Sequence, residues 1–185
     1  MRQARRLTAR RSADSGDRSE LAMDLTTLDQ EVDAAIAARG NDPAFVSAEA
    51  PAWLASFEHG LPFRLPPSYR SLLLRYRFPA FAAGAVTVFG NLDGQSRDDL
   101  VVASIRDPVL SSVARANGFI QIGRPASGNY DPICFDLRRR PKSGEAGILR
   151  LDHEEILVSG SIRVVEEVAG SFVELLARGS RRTSR

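Results

Sequence analysis

The chain has 185 residues, 43% of them hydrophobic, with a formal net charge of +2 and a single cysteine. That is enough apolar content for one sizeable core, one cysteine excludes an internal disulfide, and no window approaches the roughly 18 consecutive apolar residues of a membrane span. The start is basic but leads into SADSGDRSE instead of an apolar stretch, so neither a span nor a secretory signal is expected, and the reducing cytoplasm is the expected compartment.

The charge is uneven. Arg2, Arg5, Arg6, Arg10, Arg11 and Arg18 against Asp14, Asp17 and Glu20 give the first twenty residues +3, and Arg178, Arg181, Arg182 and Arg185 give the tail +4, leaving residues 21–177 at −5. An acidic body with arginine-rich ends that lack interleaved aromatics argues against a nucleic-acid partner. The expected organisation is a disordered basic leader over residues 1–22, with Met23 an alternative start, one domain over 23–178, and a basic tail over 179–185.

From Leu25 onward, Leu28, Val32 and Ile36 recur at helical spacing, with Thr26 or Thr27 as N-cap and Gly40 past the end. AWLASFEHG is a short second helix with Trp53, Leu54 and Phe57 on one face. LPPSYRSLLLRYRFP places prolines in an opening turn, where missing N–H groups cost nothing, so a third helix is expected over about Pro67 to Arg77. Ala85 to Phe89 is β-branched and flanked by glycines, and reads as a strand followed by the turn NLDGQSRD. A helical turn at Leu100 to Ser104 precedes a helix opened by Asp107 and Pro108 and closed by Asn117 and Gly118. Strands are expected at Phe119 to Ile122, Ile133 to Leu137 and Ile148 to Leu151. Ile156 to Val168 reads as mostly strand with a turn at SGS. Ser171 and Glu174 form a capping box for a last helix over Phe172 to Arg178. The succession predicts an α+β fold, a mostly antiparallel sheet packed against N-terminal helices, with a C-terminal helix.

Two stretches collect the chemistry-bearing residues: SGNYDPICFDL (residues 127–137) and LDHEEIL (residues 151–157). Asp131, Asp136 and His153 could hold a metal for hydrolysis if the two strands pair. However, HEE is not H-E-x-x-H, because Leu157 stands where the second histidine would be. Cys134, between Ile133 and Phe135, is expected to be buried and inert, sharing a face with Asp136 opposite Ile133, Phe135 and Leu137; the plainest reading is a strand edge with an acidic outer face. Asp152 is expected to cap a turn or to pair with Glu155 in a D-x-x-E box. No G-x-S-x-G elbow, P-loop or dinucleotide spacing occurs, so no cofactor is expected.

The order of these pieces resembles the SUKH superfamily, which includes the yeast cell-wall-synthesis regulator and many bacterial immunity proteins. Leu65, Pro66, Tyr69, Leu72 and Leu73 match its Leu-Pro helix. Ile120 to Ile122, Gly128 with Asp131, and Ile133 to Leu137 match its strand, glycine-acid turn and strand; Leu149 to Glu154 match a strand ending in Asp-His-Glu, and Ser171 with Phe172 the closing helix. RFPAF replaces the Asn-Gly-Gly common after the first helix, and the turn carries the insertion GNYD. The resemblance spans about Leu65 to Leu176. It implies a non-enzymatic domain that binds a protein, commonly an immunity protein that blocks a toxin, with regulatory interaction adaptors as the alternative. The signature turn and strand ends, Gly128, Tyr130, Asp131, Asp136, Asp152 and His153, are the expected binding residues.

Overall fold

The computed structural model describes residues 26–38, 46–47, 51–92, 96–139, 141 and 143–180. The expected leader lies outside them, as do residues 181–185 of the expected tail.

Helix α1 (residues 26–37) is followed by β1 (Val46–Ser47), α2 (Pro51–His59) and α3 (Pro67–Arg75). The third helix is shorter than its sequence suggests. It ends at Arg75, and Tyr76–Arg77 leave as an extended strand, β2, that pairs antiparallel with β1. Tyr69, Leu72 and Leu73 recur at i, i+3 and i+4, which puts one stripe of α3 into the core.

A six-stranded antiparallel sheet forms the centre: β3 (Phe81–Ala83), β4 (Val86–Val88), β5 (Phe119–Pro125), β6 (Ile133–Asp136), β7 (Ile148–Leu151) and β8 (Val164–Ala169). Its order in space is its order along the chain. Between β4 and β5 lie a five-residue π-helical segment, Val102–Arg106, and α4 (Leu110–Ala116). The Asp107 carboxylate caps this helix as expected, its Oδ1 accepting from Val109 N at 2.9 Å and Leu110 N at 2.7 Å. Glycine is required at Gly90, where a Cβ would stand 2.7 Å from backbone atoms of Phe78, Pro79 and Ala80.

Both faces of the sheet are covered. On one, Ile120, Ile122, Ile133, Phe135 and Ile148 meet Tyr69, Leu72 and Leu73 of α3 and Phe172, Leu175 and Leu176 of α6 (Phe172–Ser180). Three aromatic rings tie this layer together, Tyr69 to Phe135 at 5.1 Å and Tyr69 to Phe172 at 4.8 Å, both edge to face. On the other, Phe119, Cys134 and Leu151 pack with Ala114 of α4 and Ile156 of α5 (His153–Ser159). The acidic outer face expected beside Cys134 is therefore a second small core, and β6 is an interior strand, not an edge.

The segment after β7 departs most from its sequence reading. Ile156 belongs to α5, and strand begins only at Val164. The D-x-x-E box decides this locally: Asp152 accepts from Glu155 N at 2.9 Å, Glu154 and Glu155 occupy the first turn, and Gly160, at φ 64°, ends the helix in the left-handed region. At Ser171 the first half of the expected box forms, Glu174 N donating to Ser171 Oγ, while the Glu174 carboxylate accepts through Oε2 from Gly170 N, one residue before the cap. Its helix runs to Ser180, two residues into the expected tail.

Candidate functional site

The loop joining β5 to β6 begins with a turn in which Gly128 N donates to Pro125 O, and Gly128 adopts φ 91°. A Cβ there would touch nothing within 4 Å, so the glycine answers to backbone conformation and not to crowding. Asn129 then folds the chain back, its Oδ1 accepting from Asp131 N at 3.2 Å and its Nδ2 donating to Asp131 Oδ2 at 3.1 Å.

Antiparallel pairing of β6 with β7, Ile133 opposite Arg150, delivers the start of α5 to this loop. Asp131 is the hub. Its Oδ1 lies 2.7 Å from His153 Nδ1 and accepts from His153 N at 3.2 Å; its Oδ2 lies 3.5 Å from Arg150 Nε. The carboxylate is only 9% exposed; Asn129 and His153 hydrogen-bond its two oxygens, and Arg150 adds an ion pair without a hydrogen bond, its buried Nε having no hydrogen-bond partner among the described residues. Arg150 in turn reaches Glu166 of β8 at 3.2 Å. A nearly buried carboxylate needs such partners to offset its desolvation, and here they bind loop, β7, α5 and β8 into one corner. With Nδ1 facing Asp131, no described residue hydrogen-bonds His153 Nε2. Tyr130, 64% exposed, sets its ring 6.3 Å from the imidazole.

Asp152, next along, serves the fold. Its carboxyl is held below the usual carboxylate range by the Glu155 N–H and, next, by Arg163, which pairs with Oδ2. Gly128, Tyr130, Asp131, Asp152 and His153 thus assemble at one end of the sheet. Asp136 does not join them. It stands at the far end of β6, roughly 15 Å away at about 3.3 Å per residue. There Arg138 grips it through two hydrogen bonds of 2.9 and 2.8 Å, lowering its pKa, while the guanidinium lies 4.4 Å over the Phe119 ring. The trio Asp131, Asp136 and His153 therefore does not share a ligand position. Among the described residues, no three His, Cys, Asp or Glu side chains converge as metal ligands, and no helix is long and apolar enough to cross a membrane.

Cys134 is fully buried in the smaller core, and burial pushes its thiol well above its ordinary pKa. A groove lies elsewhere. About 1000 Å³ in volume, it runs between α2, α3 and the Leu61–Leu65 segment, lined by Phe63, Pro67 and Leu74 with Glu58 and Arg70 paired at 3.0 Å on its wall. Asp131 and His153 lie outside it. Sequence reading missed Asn129 and Arg150; the only trace of Arg150 was a charge interrupting the apolar run Ile148–Leu151. No family model matches the chain, and no curated protein matches it.

Proposed function

We propose that this chain is a non-enzymatic, cytoplasmic protein-binding domain of the SUKH kind, acting as an immunity protein that binds and neutralises a toxin domain. What supports the reading is how the chemistry-bearing side chains are used. Each candidate carboxylate is engaged by its own structural partner, Asp131 by His153 and Arg150, Asp136 by Arg138, and Asp152 by Arg163, and among the described residues no three His, Cys, Asp or Glu side chains converge. General acid–base or metal chemistry needs groups convergent on one reacting atom. The α+β architecture, with a Leu-Pro helix before the sheet and a Ser-Phe helix after it, accords with the resemblance.

The test is to isolate the protein from its native cell and identify what accompanies it. A stoichiometric complex with a growth-inhibiting protein, whose toxicity disappears when this chain is added, is the expected result. A partner that keeps its activity in the complex would make the domain a regulatory adaptor. Stoichiometric zinc or manganese in the purified protein, with a chelator-induced fall in Tm reversed by the metal, would replace both readings with a metal-dependent hydrolase.

A further inference from the structure

Large hydrophobic side chains exposed on the described surface are unevenly placed. Of seven, Leu92 and Val109 stand apart in the chain, whereas Tyr130 approaches His153 and Leu157, Val158, Val164 and Val165 all fall within α5 and the first residues of β8. Helical spacing sets Leu157 one turn beyond His153, which Tyr130 approaches, and sets Val158, 85% exposed, one turn beyond Glu154. Val164 pairs with Leu151, directly before the Asp152 cap, and Arg163 O accepts from Asp152 N at 2.9 Å, so the start of β8 adjoins the start of α5. Apolar residues concentrated in this way on one rigid corner mark an interaction surface.

The rim says what covers it. From Arg150 to Glu167 the corner carries Asp152, Glu154, Glu155, Glu166 and Glu167 against Arg150 and Arg163, a net of −3. Both arginines are already engaged by Asp131, Asp152 and Glu166, whereas Glu154 and Glu167 are exposed. A second copy would set −3 against −3. It could not readily extend the sheet either, because β8 is bulged at Val165 and Val168, each an extra residue relative to β7, and a bulged, acidic edge resists strand addition. We propose that the α5–β8 corner is the docking surface for a cationic protein, which seats apolar side chains on Leu157, Val158, Val164 and Val165 and ranges lysine or arginine against Glu154 and Glu167. This rests on the protein-binding reading above and gives that reading a surface and a partner chemistry.

The test uses the full chain and a displayed library of random dodecapeptides. Enriched peptides are expected to combine lysine or arginine with aliphatic or aromatic residues. Their binding should weaken about tenfold or more with the Glu154→Lys/Glu167→Lys double variant, should weaken with Val158→Ser, and should be unchanged with Arg70→Ala in the large groove. The altered corner positions are exposed, and unchanged thermal melts verify that the variants fold. Binders that are acidic or uncharged, binders that survive both corner variants, or a library that yields none would overturn the surface. So would a dimer in sedimentation that Val158→Ser dissociates. The protein-binding reading stands or falls separately, on the complex isolated from native cells.

Discussion

Glu145 caps α3 from 77 residues away: its Oε1 accepts from Ser68 N at 2.8 Å and its Oε2 from Ser68 Oγ at 2.7 Å. The helix cannot cap itself, because Pro66 precedes it and offers no side-chain acceptor, and Pro67 has no N–H. A carboxylate at a helix N-terminus also meets the positive end of the helix dipole. Glu145→Ala should cost about 1–2 kcal/mol, read as a lower urea midpoint at unchanged slope, and Glu145→Gln should recover part of it. An unchanged midpoint for the alanine variant would remove the cap from the account.

Asp131→Ala carries a larger expected loss. From the turn alone, the carboxylate looks worth no more than a cap, about 0.5–2 kcal/mol. The structure adds Arg150 and His153, both largely covered, which would lose their counter-charge and acceptor together. Roughly 2–3 kcal/mol is expected, below the ~3–5 kcal/mol for breaking a fully buried pair because Arg150 retains Glu166 and some solvent. Double-mutant cycles with His153→Ala and Arg150→Ala should show coupling; additive losses would mean that the hub does not act as a unit.

Tyr69→Phe should leave stability unchanged or raise it. The ring is fully buried between Phe135 and Phe172, but its hydroxyl has no hydrogen-bond partner among the described residues, and burial drives its pKa far up. An unsatisfied buried hydroxyl costs about 1–3 kcal/mol, which phenylalanine avoids while keeping the edge-to-face contacts. A clear fall in Tm on removing the oxygen would show that the hydroxyl is satisfied in solution.

The pairs Asp98–Arg124 and Asp136–Arg138 predict the acid limb of stability. Both aspartates have lowered pKa values, first through side-chain hydrogen bonds from their arginines. A folded pKa below the unfolded one, about 3.9, means the folded state holds fewer protons in that window, so stability rises with pH there. The contribution is complete above about pH 5 and is lost as pH falls through the lowered folded values. Arg124→Ala and Arg138→Ala should each flatten the urea midpoint between pH 5 and 2; an unchanged slope in both would refute the assignment.

Cys134 should react slowly with a thiol reagent in native buffer and rapidly in denaturant, since it is both inaccessible and held as the thiol. Fast native labelling would expose the smaller core as open.

Elements fixed by local chemistry were legible in the sequence. The capping boxes and the i, i+3, i+4 stripes placed α3 and α6 within a few residues, and β7 has the bounds its sequence gives it. β2 and β3 were not legible, because two or three residues, alanine-rich in β3, carry no periodicity and exist only through pairing with β1 and β4. In α5 the run Ile156, Leu157, Val158 favours strand by composition, yet the Asp152 cap and Gly160 enclose one helical segment. At the candidate site, the loop and strand-end residues could be picked out, but their division could not. That Asp131 meets His153 while Asp136 is held elsewhere follows from the β6–β7 register and strand direction, which are long-range facts. Arg150 acquires its role only when Ile133 is set opposite it.

Because each strand of the large sheet pairs with its predecessor in the chain, the route to the folded state is constrained as well as its endpoint. The β5–β6 and β6–β7 hairpins close through loops of 7 and 11 residues, a small entropic cost, so pairing there can run ahead of everything else. Helix α3 can then dock only once a surface exists to receive it, with Ser68 reaching Glu145 late. Contacts made after the barrier leave the folding rate alone and govern the rate of opening. Loss of the Glu145 cap should accordingly steepen neither limb of a chevron plot but raise the unfolding limb, making the life span of the folded state, more than the speed of its formation, the property that this single distant carboxylate controls.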